Sequence, residues 1–163
     1  MKKAIFLFLG LTLLFIACSK QDAQNLKGYT EIQKEVLQVL NGKFRADGYS
    51  GFETFESFSK PRIVYGIDFP NIDLDNLDES LKNLVPAEVH GRIHFPDEEY
   101  NFPYFRISED GKTLTFVGAQ IEDRIIFLFW KYDFVLLSKS SFKIKFHSDP
   151  NEPEYWEVYR KIK

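Results

Sequence analysis

From Gly42 onward the apolar residues of this chain recur at every second position, and that period restricts the fold more than any other feature. Side chains at i, i+2 and i+4 of a strand share one face, so an alternating run reads as a strand with one buried and one wet side. Val89, Gly91, Ile93 and Phe95 alternate with His90, Arg92 and His94, and Phe142, Ile144 and Phe146 alternate with Lys143, Lys145 and His147. Lys43–Phe58 reads as one strand or a hairpin, Ile63–Phe69 as a strand stopped by Pro70, and Tyr155–Ile162 as the last strand. Tyr104–Ser108 and Thr113–Val117 flank Asp110-Gly111, a dipeptide suited to a hairpin turn. Ile125–Leu137 is too long and too apolar for a single half-exposed strand and is expected to bend near Lys131–Asp133.

Two segments carry the helical period instead. Thr30-Glu31-Ile32-Gln33 has the spacing of a capping box, with Thr30 as N-cap. Ile32, Val36, Val39 and Leu40 follow as one apolar stripe, and Asn41-Gly42 ends it. Asp75–Val85 predicts a second helix, since Leu74, Leu77, Leu81 and Leu84 repeat every three or four residues behind Asp75, Asp78 and Glu79. Seven to nine short strands in series, joined by turns, predict an all-β, mainly antiparallel barrel or sandwich. Closure into a barrel is favoured because it removes the edges that aromatic strands would expose.

The amino terminus points to export. Lys2 and Lys3 precede an uncharged run, Ala4–Ala17, of the length expected of a signal peptide and short of the roughly 20 residues that span a bilayer. A short uncleaved anchor is the alternative. Phe15-Ile16-Ala17-Cys18 resembles the lipobox of bacterial lipoproteins. The resemblance implies that Cys18 takes a diacylglycerol thioether and becomes the mature amino terminus. Several acyl chains hold firmly, at about 0.8 kcal/mol for each buried methylene. Ser19 follows, not the Asp that resembles an inner-membrane retention signal, so the outer membrane is the expected location, periplasmic or surface-facing. The expected organisation is a signal peptide over 1–17, a lipidated polar tether over 18–28 and a β domain over 29–163.

Without the leader, 19 basic residues stand against 24 acidic ones, so the domain has no electrostatic footprint for nucleic acid. Cys18 is the single cysteine, and once acylated it leaves no thiol for disulfides, catalysis or metal. Stability must come from a core, for which 17 Phe, 8 Tyr and 2 Trp supply the material.

Over residues 30–163 the pattern resembles the small lipocalin-like lipoproteins of Gram-negative bacteria. In that superfamily a short helix leads into a Gly-x-Trp first strand, and a basic residue near the last strand packs over that ring. Here Gly42-Lys43-Phe44 takes the first place, with Phe for Trp, and Arg160 takes the second. The resemblance implies an up-and-down β-barrel of about eight strands with a short N-terminal helix and one inserted helix. It also implies a small hydrophobic ligand. A different β-barrel or an α+β roll remains an alternative.

Chemical motifs are sparse. His90 and His94 would lie about 6 Å apart on a helix, but on a strand about 13 Å separates them, so they cannot share an ion. A solvated strand face is expected there. Asp73–Glu79 superficially resembles a calcium loop but puts Leu77, Asp78 and Leu84 at its fifth, sixth and twelfth places, so helix capping is preferred. Asp97-Glu98-Glu99 and Glu122-Asp123 fall at predicted turns, where acids face water rather than catalyse. Gly48-Tyr49-Ser50-Gly51 lacks the spacing of a nucleophile elbow. No catalytic residue, metal ligand or cofactor is expected, and no ligand-binding residue is singled out. Phe44, Phe52, Phe55, Phe116, Phe127, Phe129, Trp130, Phe142, Phe146 and Trp156 either fill the barrel or line a cavity. An open cavity of about 300 Å³ or more would favour a small apolar ligand. A filled barrel would favour an envelope accessory that docks a protein through exposed Tyr100, Phe102 and Tyr104. In cells fed radiolabelled palmitate, Cys18→Ala is expected to abolish labelling; retained label refutes the anchor.

Overall fold

The computed structural model describes residues 26–70, 72, 86–96, 102–121, 125–146 and 155–163. Among them are one α-helix, α1 (Glu31–Leu40), and eight strands: β1 (Gly42–Ala46), β2 (Glu53–Val64), β3 (Ala87–His94), β4 (Tyr104–Ile107), β5 (Thr113–Ile121), β6 (Ile125–Ser138), β7 (Ser141–Phe146) and β8 (Glu157–Lys161). Each strand pairs antiparallel with the next, and β8 returns to β1 with Phe44 opposite Lys161 and Ala46 opposite Tyr159. The sheet is thus a closed ring, and the expected antiparallel, edge-free architecture holds. The leader, Cys18, and the helix expected over Asp75–Val85 lie outside the described residues, as does Asp73–Glu79 as a whole.

The ring is filled at its centre by aromatic side chains whose phase along each strand points them inward. Phe44, Phe55, Phe105 and Phe142 are fully buried. Phe142 touches rings from four other strands: Phe44 at 5.0 Å, Phe55 at 5.9 Å, Phe134 at 5.4 Å and Tyr159 at 4.9 Å between centroids, the last stacked in parallel. Most neighbouring pairs in this group sit edge to face, the arrangement that sets a positive ring edge against a negative ring face.

Helix α1 closes one end of the ring. Thr30 Oγ1 accepts from the Gln33 amide at 3.2 Å and Gln33 Oε1 accepts from the Thr30 amide at 3.0 Å, so the predicted capping box forms. The same two side chains also bind the β4–β5 hairpin. Thr30 Oγ1 donates to the Glu109 carbonyl and Gln33 Nε2 to that of Ile107. Val36, Leu37, Val39 and Leu40 are buried, whereas Ile32, expected in the stripe, is 51 % exposed. It lies instead over the hairpin turn at Gly111, where a β-carbon would collide with its side chain. Leu37 takes the inner place because the helix meets the ring between the faces that the stripe had defined.

Three expectations need correction. Ile63–Phe69 is not a separate strand: Ile63 and Val64 end β2, and Gly66–Asp68 form a 3-10 turn. The Asp68 carboxylate accepts from the Tyr65 amide at 2.7 Å, a local bond that competes with a strand ladder. Ile125–Leu137, read as too long for a single half-exposed strand, lies within one strand, β6, whose pairing passes from β5 to β7 at Lys131–Asp133. Its unusual apolarity has a cause in packing. Phe69 and Ile72, after the 3-10 turn, join a second buried cluster with Tyr104, Val117 and Ala119, against which Phe127 packs, so part of the strand's outward side is covered too. The third is the seam residue. Arg160 faces outward and pairs with Asp47, while the cation over Phe44 is Lys161, 5.6 Å from the ring centre. Alternation explains the one-residue offset, since Tyr159 points inward and its neighbour Arg160 must therefore point out.

Gly91 marks the tightest contact between strands. A β-carbon there would lie 2.5 Å from the Glu56 carbonyl oxygen and closer still to the Phe105 ring. Gly91→Ala is expected to destabilise the fold by about 1–3 kcal/mol through overpacking, read as a lower denaturant midpoint. An unchanged midpoint would show that this crossing is not tightly packed.

Candidate functional site

Because α1 occupies one end of the ring, the space left inside lies at the other. There β1, β3, β5 and β7 end and β2, β4, β6 and β8 begin. A cavity of about 360 Å³ opens at this mouth. One wall is aromatic: Phe102 lies against Trp130 at 4.3 Å between centroids, and Phe116 against Tyr132 at 4.9 Å. Trp130 remains 43 % exposed, which places it at the rim.

The facing wall is acidic. Glu53, the first residue of β2, and Glu157, the first of β8, both line the cavity with Tyr159. Glu53 is 8 % exposed, and its Oε2 is shut off from solvent with no hydrogen-bond partner among the described residues. Burial pushes its carboxyl up to about 7; a backbone hydrogen bond pulls the other way, and the Glu157 charge adds to the rise. The Tyr159 hydroxyl donates to Glu157 Oε2 at 3.0 Å. Burial, joined by the charges of Glu53 and Glu157, holds that hydroxyl far above its ordinary titration range, so it stays a donor. No Lys, Arg or His is among the described lining residues. Chemically, the wall offers ionisable acceptors, one of them with an unused oxygen, beside flat apolar rings.

Sequence reasoning passed over both acids, although each carries a signal. Glu53 is in phase with Phe55 and Glu157 with Tyr159, so each sits where an inward-facing apolar residue would be expected. The carboxylates that were weighed, Asp97-Glu98-Glu99 and Glu122-Asp123, lie outside the described residues. Tyr49, from the rejected Gly48–Gly51 segment, lines the cavity rim.

The remaining candidates disperse. His94 is exposed beside Glu56, as a wet strand face requires. His90 is not; it is 3 % exposed. The β3–β4 ladder runs only from Gly91 and Arg92, so the Ile107 amide has no backbone partner on β3 and donates to His90 Nδ1 at 3.1 Å instead. Burial lowers the pKa of that ring and keeps it neutral, which the bond requires. Among the described residues no three His, Cys, Asp or Glu side chains cluster as a metal site would. Phe44, Phe55, Phe116 and Phe142 belong to the core, and Trp130 and Phe146 pack together 6.1 Å apart. Phe127 and Phe129 stack on each other, Phe52 lies under Lys43, and Trp156 under Lys143 and Lys145. Phe102 and Tyr104 are buried rather than exposed, and Tyr100 lies outside the described residues. Two further hollows, of about 510 and 310 Å³, lie between α1 and the β6–β7 turn and beside the 3-10 turn. Neither contains the buried, unpartnered acid that distinguishes the mouth.

Comparison with family models, with curated proteins and with solved structures returns no match.

The sign of the Glu53 effect is open to test. Below pH 4.5 the folded and unfolded chains both hold the proton; between 4.5 and 7 only the fold keeps it, so rising pH erodes stability until both forms are ionised. Glu53→Gln removes that loss. Its melting temperature relative to the unaltered protein is expected to climb as pH rises from 5 to 8; a difference that stays constant would show that Glu53 titrates normally.

Proposed function

We propose that this chain is a lipid-anchored protein of the bacterial envelope whose lipocalin-like ring domain holds one small, largely apolar ligand at its mouth. The observation that carries the reading is the cavity: about 360 Å³, inside the closed sheet, walled by Phe102, Phe116 and Trp130. Ligand sites are concave, mostly apolar and supplied with a few placed polar groups, and the mouth has that composition. The domain carries no chemistry beyond binding. The anchor rests on the leader and Cys18, which tether the domain at the outer membrane through its acyl chains.

Kinship with the lipocalin-like lipoproteins is supported by three features. The strands pair in sequence order, a short helix leads into Gly42-Lys43-Phe44, and a cation from the last strand lies over Phe44. Gly42 has φ +146° and sits under the Lys161 stem, which a β-carbon would strike, so glycine is required there.

A docking accessory with a filled barrel is the weaker reading, because the mouth is hollow and two of the aromatics it relied on are buried. In a Trp156→Phe protein, Trp130 is the sole tryptophan. Titration with N-phenyl-1-naphthylamine, a neutral apolar fluorophore, is expected to quench it saturably. Trp130→Ala or Phe116→Ala should weaken uptake of the dye, read from its own emission, about tenfold. The absence of saturable uptake by the unaltered protein overturns the ligand reading.

A further inference from the structure

We infer that the mouth cavity selects a positively charged nitrogen carried on a flat apolar body, with Glu53 and Glu157 as its counter-charges and Trp130, Phe102 and Phe116 as its walls. The inference rests on the reading of that cavity as a ligand site and names the chemistry of what fills it.

The first support is the unused acceptor. A carboxylate oxygen closed to solvent and without a donor is costly to leave alone, and it is most cheaply satisfied by a group that brings both a proton and a charge. The second is the company it keeps. Glu157 already accepts from Tyr159, so its charge is oriented but not neutralised, and the described lining has no basic residue to do so. An anionic ligand such as a fatty acid would meet two like charges and, among the described lining side chains, no cationic donor, only tyrosine hydroxyls and the Trp130 indole N–H. A cation would neutralise the pair and meet the faces of aromatic rings, which attract positive charge.

The groups facing Glu53 are Glu157 and Tyr159 on β8, Tyr132 on β6 and Tyr49 in the β1–β2 turn; β3, β4 and β5 present only apolar rings and Pro96 among the described lining residues. Raising the pH through neutrality removes the proton from Glu53 while an alkylamine, with a pKa of about 10, keeps its own. Affinity for a cation therefore rises over that interval.

The test uses three ligands of one shape on the full chain: tryptamine, tryptophol and indole-3-propionate, which are cationic, neutral and anionic. Calorimetric titration at pH 7.5 is expected to show tryptamine binding at least tenfold tighter than tryptophol, and indole-3-propionate weakest. Tryptamine affinity should rise several-fold between pH 6 and 8. Glu53→Gln and Glu157→Gln should each remove most of the preference for tryptamine over tryptophol. Equal binding of the three, or preference for the anion, in a protein that still takes up the neutral fluorophore overturns the inference and leaves the cavity standing. Failure to take up the fluorophore as well sinks the ligand reading itself.

Discussion

The packing of Phe142 against Phe44, Phe55 and Tyr159 is the contact on which the remainder of the structure depends. A closed sheet must join its first and last strands, which are the most distant in sequence, and the loop entropy of that closure has to be offset by burial at the seam. Phe44 lies on β1, Tyr159 on β8 and Phe142 on the strand beside it, so one ring bridges the junction from inside. Truncating a buried Phe of this kind costs about 3–5 kcal/mol, a large share of a small domain's total stability. From outside the seam gains little, because the Arg160–Asp47 pair is exposed and screened by water.

Lys161 ties the helix to the same seam. Its ammonium donates to the Asn41 carbonyl at 2.7 Å and to that of Val39 at 3.4 Å, groups that the end of α1 leaves without helical partners. Its stem passes over Gly42 and its charge lies above Phe44. At the other end of the helix, Thr30 and Gln33 fasten α1 to the β4–β5 hairpin, and Ser57 donates to the Leu37 carbonyl from β2. The helix is held against three strands and the β4–β5 turn by side-chain bonds to backbone carbonyls. One end of the ring is therefore sealed, and among the described residues no helix covers the acids that face inward at the other end. The asymmetry of the ring follows from that: a plugged floor below, and above it a buried acid among aromatic rings.

Much of this was legible in the sequence, and the errors have physical causes. The alternation of Val89, Gly91 and Ile93, the Asp110-Gly111 turn and the Thr30–Gln33 box are local signals, and they formed as expected because period and capping are decided within a few residues. Arg160 and Lys161 were exchanged because a one-residue phase decides which side of a strand a charge takes, and only the pairing with β1 sets that phase. His90 was assigned to the wet face because alternation assumes a neighbour along the whole strand. The β3–β4 ladder is short, and the buried imidazole does the work of a missing carbonyl.

What the sequence determined by itself is the set of elements whose cause is local: a capped helix, a series of alternating strands and the Asp110-Gly111 hairpin turn. What only the tertiary structure decided is which end of the ring α1 fills, and hence where Glu53 and Glu157 come to face each other's field across more than a hundred residues of chain. Two acids that far apart carry no mutual signal in a linear sequence. Their shared cavity, and the desolvation that raises one of them, exist only once the sheet has closed.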